Sequence, residues 1–475
     1  MELEMNNIKT IMTSISNELI TQEEYSQLFD TVKELLDDYI KENIMDFSKP
    51  NFHEELFSSI NELLEVQFEY LNMSDSHYIF YIIYEKVSKI YFKFVIPPRS
   101  YDKTFIRKSP NTSFINQKIT YLENKPQPAQ RTKEWYEFRH SLITASSAWK
   151  ALDTQSSINS IIYEKCAPYD GTKFDSVNMD SPFHWGTKYE PISVQVYEKQ
   201  YKTVIKDFGC LRHDEYSFLG ASPDGINVDK TSCLYGRMLE IKNIVNREIN
   251  GIPKMEYWIQ MQLQMEVCDL NECDFLETKF TEYDGYNEFI KDGSFIKTED
   301  GKDKGIFILF MDQENKPYYE YPELKLQEDE FMSWREQVIL KNKDKIWIKD
   351  IYWKLNIISC VLVLRNKPWS KEAAKKIGDV WSIIENERMN GYEHRAPKKR
   401  QKKKEMEKEK RKKGCLICFA GNKISVDDEN NFNKIIKVHT EPFVKIDTEP
   451  LVKIDTEPLV KTDTEPLIKM DTDLI

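Results

Sequence analysis

The sequence predicts an α/β (α+β) chain with helical extensions on both sides and a low-complexity repeat tail. Three observations predict it. From Arg131 to about Asp269, short strand-like apolar runs alternate with helical stretches. On either side, apolar residues recur at helical spacing. From Thr440 an eight-residue unit repeats with a proline in each full copy, which forbids a continuous helix. The 475 residues are 40% hydrophobic and 12% aromatic, enough for a sizeable core, so a wholly disordered or collagen-like chain is excluded. No apolar run is long enough to span a membrane, and the first twenty residues lack the order of a signal peptide. An intracellular protein that is neither secreted nor bound to a membrane is therefore expected.

Residues 1–125 read as a helical N-terminal region. Leu19, Tyr25, Leu28, Phe29, Val32, Leu35, Leu36 and Ile40 fall at helical spacing between Glu18 and Asn43. Further helices are expected over Phe52–Tyr70 and His77–Ile90. This region holds 13 basic and 20 acidic residues and no constellation of catalytic residue types. Pro126-Gln127-Pro128 marks a boundary, because paired prolines favour extended chain.

The core segment, 126–312, carries expected strands at Phe218–Ala221, Met238–Ile244 and Ile306–Met311, and an expected helix at Met255–Cys268. A helical C-terminal extension, 313–397, follows. Its pattern resumes near Glu328, with Trp334, Trp347, Tyr352, Trp353, Trp369 and Trp381 spaced along it as packing anchors. A basic linker, 398–413, packs eleven basic and three acidic residues into sixteen positions. Such a run is a solvated linker, a weak phosphate-binding arm or a nuclear-import signal. The tail, 414–475, contains the repeats beginning at Thr440, Thr448, Thr456 and Thr464, and reads as disordered, with a binding array as the alternative. The eight cysteines are expected to be reduced, and Cys415-x-x-Cys418 lacks the second pair that a zinc site needs.

The chemistry lies between Arg131 and Asp269. Gly220-Ala-Ser-Pro-Asp224-Gly225 is a strand end entering a turn, and Glu240-Ile241-Lys242 follows inside an apolar strand. Side chains alternate along a strand, so Glu240 and Lys242 share one face while Leu239 and Ile241 pack behind. A solvated edge strand or an ion pair closing a sheet gives the same pattern. The functional reading is a metal site, in which the oxygens of Asp224 and Glu240 suit Mg²⁺ or Mn²⁺, one ion or two. Lys242 would then orient or deprotonate an attacking water at a phosphodiester.

Three further elements support it. Trp185 to Glu190 opens a helix able to deliver a third carboxylate, Glu190. On the helix Met255–Cys268, Tyr257, Gln260 and Gln264 fall within roughly 60° of one face, amid apolar residues that leave this polar stripe in need of partners. Arg139 follows Trp135 by one turn and precedes Ile143-Thr-Ala-Ser146; a guanidinium and a hydroxyl near a helix start can clamp a terminal phosphate.

Taken in order, Trp135-x3-Arg139…Ile143-Thr-Ala-Ser146, Gly186-x3-Glu190, Ala221-Ser-Pro-Asp224-Gly225, Glu240-Ile-Lys242 and Tyr257-x2-Gln260-x-Gln262 resemble the YqaJ-type viral recombinase family. That family includes phage lambda exonuclease and belongs to the PD-(D/E)XK nuclease superfamily. The resemblance covers about 140 residues. It implies a restriction-endonuclease-like central mixed sheet flanked by helices, and Mg²⁺-dependent 5′-to-3′ exonuclease action on duplex DNA ends. By motif it gives Glu190, Asp224 and Glu240 as metal carboxylates, with Ile241 in the same metal set. Lys242 would be the catalytic lysine, and Tyr257 and Gln260 would line the active site. Arg139, Ser146 and Ser222 would hold the 5′ phosphate. A single-strand annealing protein and a homo-oligomer are the implied protein partners. The flanking regions suggest a large DNA virus, hence the host cytoplasm or nucleus, and their extra helices put the ring-shaped trimer of the phage enzyme in doubt. The competing readings are a structure-selective endonuclease on the same core and a non-catalytic DNA-binding or scaffold protein.

The net charge of −12 argues against a nucleic-acid protein when taken whole. Residues 131–268, however, hold 16 basic against 18 acidic residues, three of them the proposed metal ligands. The acidity belongs to the flanks.

Overall fold

The computed structural model describes residues 21–70, 76–105, 112–170 and 178–396. The basic linker, the repeats, the Cys415/Cys418 pair and the start of the first expected helix lie outside the described residues. Those described fall within one compact unit, Met1–Pro397.

The N-terminal region is helical, as its periodicity predicts. Helix α1 (Gln22–Glu42) opens on a capping box between Thr21 and Glu24 and buries Val32, Leu36 and Ile40 four residues apart. Helices α2 (Phe52–Tyr70), α3 (Ser76–Phe94) and α4 (Thr112–Asn124) follow. Then come α5 (Lys133–His140), β1 (Ile143–Thr144), the single turn α6 (Ala145–Ala148), α7 (Gln155–Cys166) and α8 (Pro182–Tyr201). Four short strands succeed them: β2 (Ile205–Lys206), β3 (Leu211–Arg212), β4 (Leu219–Ala221) and β5 (Gly225–Asn227). The core continues through β6 (Met238–Asn243), α9 (Met255–Cys268) and β7 (Glu272–Glu282). The remaining elements are α10 (Tyr286–Lys291), β8 (Lys304–Met311), β9 (Pro317–Glu320), α11 (Glu328–Lys341), β10 (Ile346–Leu364) and α12 (Lys367–Asn390).

Two sheets result. The larger has seven strands in the order β2-β5-β6-β7-β10-β8-β9, and the smaller has the order β1-β4-β3. In the larger sheet only β6 and β7 pair in parallel, joined by α9 as a crossover helix. The large sheet is thus mixed and flanked by helices, which bears out the expected architecture. Helix α8 covers the face carrying Leu239 and Ile241, through Tyr197 and Val194. Helix α9 covers the opposite face, in a core shared with Met238 and Phe275.

The reading of residues 313–397 as a helical extension is corrected by β10. Ile346–Leu364 is a 19-residue strand lying inside the large sheet. Its first half pairs with β8 and its second with β7. The physical reason is the density of β-branched and aromatic residues, which fit a pleated surface. Ile351, Trp353 and Leu355 alternate onto one buried face, with Trp353 edge-on to Phe280 at 5.5 Å. Trp347, Tyr352 and Trp353 are therefore strand residues, while Trp334 lies on α11 and Trp369 and Trp381 on α12.

The N-terminal helices share one apolar core with α9 and α12, running from Val32 to Ile384. Arg99, only 2% exposed, straps them together. Its guanidinium donates to the carbonyls of Ser48 (3.0 Å) and Pro253 (2.5 Å), and its own carbonyl accepts from Trp258 Nε1 at 2.6 Å. Pro253 and Trp258 flank the start of α9, so the strap fixes that helix from outside the core segment. Replacing Arg99 by alanine strands buried carbonyls without donors and should lower unfolding free energy by about 2–3 kcal/mol. Urea denaturation followed by tryptophan fluorescence would measure the loss.

Candidate functional site

The turn Ser222-Pro223-Asp224 is where the chain leaves β4 of the small sheet and enters β5 of the large one. Gly225 closes it because a Cβ there would lie 2.1 Å from Ile205 Cγ2. The turn aims Asp224 at β6, where its Oδ2 accepts the Ile241 N–H at 2.7 Å. Ile241 meets the site through this backbone group, while its side chain packs with Tyr197, Leu239 and Leu276.

Glu240 is fully buried on the face opposite Leu239, and Lys242 lies two residues along on the same face. The two form an ion pair through Glu240 Oε1. Helix α9 completes their shell. Gln264 Nε2 donates to Glu240 Oε2 at 2.7 Å, and Gln260 Oε1 accepts from Lys242 Nζ at 3.5 Å. The Lys242 ammonium also lies 5.0 Å from the centre of the Tyr257 ring. Gln262, one residue off this stripe, points elsewhere and bonds the Leu364 carbonyl at 2.8 Å.

Glu190 approaches from α8, and Arg131 Nη2 pairs with it at 2.6 Å. Burial, and then the Glu240 and Glu190 charges, push the Asp224 carboxyl well above the usual carboxylate range. Burial and the charges of Asp207 and Glu240 also push Glu190 up, against the pull of Arg131. Burial opposes the charge on Lys242, yet Glu240 and Asp224 hold its ammonium above the ordinary lysine range.

The three sequence-predicted carboxylates are thus electrostatic neighbours, but each has turned to a donor of its own. Among the described residues no three His, Cys, Asp or Glu side chains are gathered tightly enough to chelate an ion outright. Three carboxyl groups face only two cations, Lys242 and Arg131, which leaves hard oxygen donors in excess. Such a donor set fits a divalent cation such as Mg²⁺ or Mn²⁺, with Asp224, Glu240 and Glu190 as the residues that would hold it.

The second constellation adjoins the first across the Ser222–Asp224 turn. Arg139 Nη2 donates to Ser146 Oγ at 3.0 Å, and the Arg139 guanidinium sits 4.2 Å from the centre of the Trp135 ring. Trp135 Nε1 in turn donates to Ser222 Oγ at 3.1 Å. The residues expected to hold a phosphate are therefore brought together, with Trp135 as the bridge between them.

Sequence reasoning missed two cations. Arg131 stands in the turn just before α5 with φ of 66°, a left-handed conformation unusual for a long side chain, and holds Glu190. Arg247, in the loop after β6, pairs with the buried Glu277 of β7 and lies 5.7 Å from the Tyr257 ring centre. Both sit in irregular chain, where no periodicity points to a partner.

Residues 134–271 match the family described as the YqaJ-like viral recombinase domain. This bears out the resemblance drawn from the five motifs. Over 308 residues the chain is 28% identical to an uncharacterized protein of Acanthamoeba polyphaga mimivirus, covering 57% of this chain. The chain spans 55% of that relative's length. Among solved structures it is similar to an alkaline exonuclease from Laribacter hongkongensis at 18% identity, covering 55% of this chain and 95% of that one, with a TM-score of 0.32. The same enzyme in complex with dAMP gives 18% identity, the same coverage and a TM-score of 0.33.

The carboxylate cluster makes a prediction about metal alone. At a hundredfold excess over its Kd, Mn²⁺ should stabilise the protein by about 2.7 kcal/mol, read as a rise in melting temperature. Asp224→Asn should raise the metal-free melting temperature by relieving repulsion and remove most of the Mn²⁺ response.

Proposed function

We propose that the chain is a divalent-metal-dependent DNA nuclease that removes nucleotides 5′-to-3′ from the ends of duplex DNA, in recombination or end processing of a large DNA virus. The observation that carries this reading is the set Asp224, Glu240 and Lys242. They sit at the β4–β5 turn and on β6, inside the segment matched to a viral recombinase domain.

When bound, Mg²⁺ or Mn²⁺ supplies Lewis acidity at the scissile phosphate and a water of lowered pKa. The chain's own residues do the rest. Asp224 and Glu240 are fixed before substrate arrives, by the Ile241 N–H and by Gln264. Lys242, pinned between Glu240, Gln260 and the Tyr257 ring, holds a donor toward the attacking water and offsets charge developing on phosphorus. Arg139, Ser146 and Ser222 take the terminal 5′ phosphate, since a guanidinium binds phosphate in a forked geometry and hydroxyls complete the cradle. A phosphate held there, next to the Ser222–Asp224 turn, sets which phosphodiester meets the carboxylates. Cleavage of this polarity leaves a 3′ single strand, the substrate class of a strand-annealing protein.

With Mg²⁺, the full chain should release nucleotides from end-labelled linear duplex and leave closed circular duplex intact. Glu240→Gln and Lys242→Met should each slow release by about a hundredfold or more while the circular dichroism spectrum is retained. Cleavage of the circle at the linear rate would replace the exonuclease with an endonuclease. Absence of any release by the wild-type chain would remove the enzymatic reading.

A further inference from the structure

The phosphate cradle has more positive charge around it than Arg139 supplies. In the antiparallel pairing of β3 with β4, Leu211 stands opposite Ala221 and Arg212 opposite Gly220. Side chains alternate along a strand, so Arg212, Cys210 and Ser222 emerge on one face of the small sheet. The parallel pairing of β4 with β1 sets Thr144 opposite Gly220, and Thr144 Oγ1 lies 3.3 Å from Ser146 Oγ. The two hydroxyl residues of the cradle and Arg212 thus border the same face.

Arg212 is arranged like a group awaiting an anion. Its guanidinium lies 5.1 Å from the ring centre of Phe138, the neighbour of Arg139. Its Nη2 lies a long 3.5 Å from Ser141 Oγ, and its Nε is buried with no hydrogen-bond partner among the described residues. Unlike Arg237 or Arg365, which pair with carboxylates, neither Arg139 nor Arg212 makes an ion pair among the described residues.

A third cation lies beneath them. Lys165, 4% exposed, donates from Nζ to the Arg139 carbonyl at 3.0 Å. Arg388 of α12 holds the Lys165 carbonyl at 2.8 Å, so this lysine is fixed from both ends. Burial pushes its pKa down to about 8, Glu164 resists, and Arg139 and Lys150 add to the fall. Glu164 is the acid of this cluster, shared between Lys150 at 3.0 Å and Lys165 at 3.7 Å. Arg139, Lys150 and Lys165 therefore surround it with a positive surplus.

We propose that Arg212 is a second guanidinium of the terminal-phosphate cradle and that Lys165 is the positioning cation beneath Arg139, so that the cradle selects a doubly ionised terminal phosphate. This rests on the proposed reading of Arg139, Ser146 and Ser222 as the phosphate site. A terminal phosphate monoester carries close to two negative charges at neutral pH. A single guanidinium neutralises half of it; a second fork supplies the remainder, and the buried ammonium positions Arg139. A 5′-hydroxyl end or an internal diester offers less charge and gains less from the same pocket.

The test is the ratio of kcat/KM on duplex with 5′-phosphate ends to that on otherwise identical 5′-hydroxyl ends, using the full chain with Mg²⁺. Arg212→Ala should lower that ratio about tenfold, the worth of one charge-assisted hydrogen bond. Arg212→Lys, which keeps the charge but loses the fork, should restore it only in part. Inorganic phosphate should inhibit the wild type competitively and bind about tenfold more weakly to Arg212→Ala. Lys165→Met should raise KM for phosphorylated ends more than it lowers kcat. A wild-type ratio near one overturns the phosphate site as a whole. A high wild-type ratio kept by Arg212→Ala overturns this inference and leaves that site standing. If the alanine variant does not fold, an unchanged ratio in Arg212→Lys overturns it equally.

Discussion

The structure depends on burying the Glu240 carboxylate in the middle of an apolar sheet. An ionised carboxylate removed from water costs several kcal/mol unless it is paired and its remaining lone pairs are bonded. Lys242 supplies the pairing from the same strand, two residues along. Gln264 supplies the second bond from α9. Those two requirements determine much of the rest. The lysine must lie on the α9 face, so Leu239 and Ile241 must pack against α8. Helix α9 must cross over its sheet at a fixed height, which the parallel β6–β7 pairing and the Arg99 strap enforce. Truncating any one partner leaves a buried charge uncompensated, which is why so many otherwise unrelated contacts converge on one helix.

The parts legible in sequence were those where pattern and function coincide. Helix α9 is readable because Trp258, Ile259, Met261, Leu263, Met265 and Val267 make it largely apolar. Its polar stripe of Gln260 and Gln264 is the part that the structure turns onto Lys242 and Glu240. β6 is readable because two charges interrupt an apolar run at a spacing of two. What was not legible came from partners far along the chain. β10 alternates in only part of its length and is rich in aromatics, so its helix-like spacing misled; pairing with β7 and β8 decides its conformation. Arg131 and Arg247 belong to loops whose conformation only the assembled fold determines. Lys165 looks like an ordinary helical lysine in sequence, and only the assembled fold buries it, with its ammonium on the Arg139 carbonyl and its own carbonyl held by Arg388 of α12.

The helical flanks belong to the machinery through packing. Trp258 of α9 meets Trp369 of α12 edge-on at 4.9 Å and Phe47 of the N-terminal region at 5.9 Å. Trp369 Nε1 faces the Met45 carbonyl at 3.4 Å. Two segments far apart in sequence therefore clamp the helix that carries Gln260 and Gln264. A loosening at this aromatic junction displaces those amides from Glu240 and Lys242, since a close-packed interior transmits small shifts. The flanks thereby acquire a role in the site without contributing a group to it.

The net charge of −12 conceals two opposed poles. Asp224, Glu240 and Glu190 gather on one side of the Ser222–Asp224 turn; Arg139, Lys165 and Arg212 gather on the other, around Ser146 and Ser222. Ser222 and Asp224 are two residues apart, and Pro223 between them limits the backbone. The separation of the poles is therefore set by covalent geometry and by the junction of two sheets. On the proposed reading, a terminal phosphate held at the positive pole leaves only a narrow choice of phosphodiesters that can meet the carboxylates. Recognition of the end and choice of the bond to be cut then follow from one rigid turn. The bulk acidity of the chain has no bearing on either, because it lies chiefly in segments that the turn does not touch.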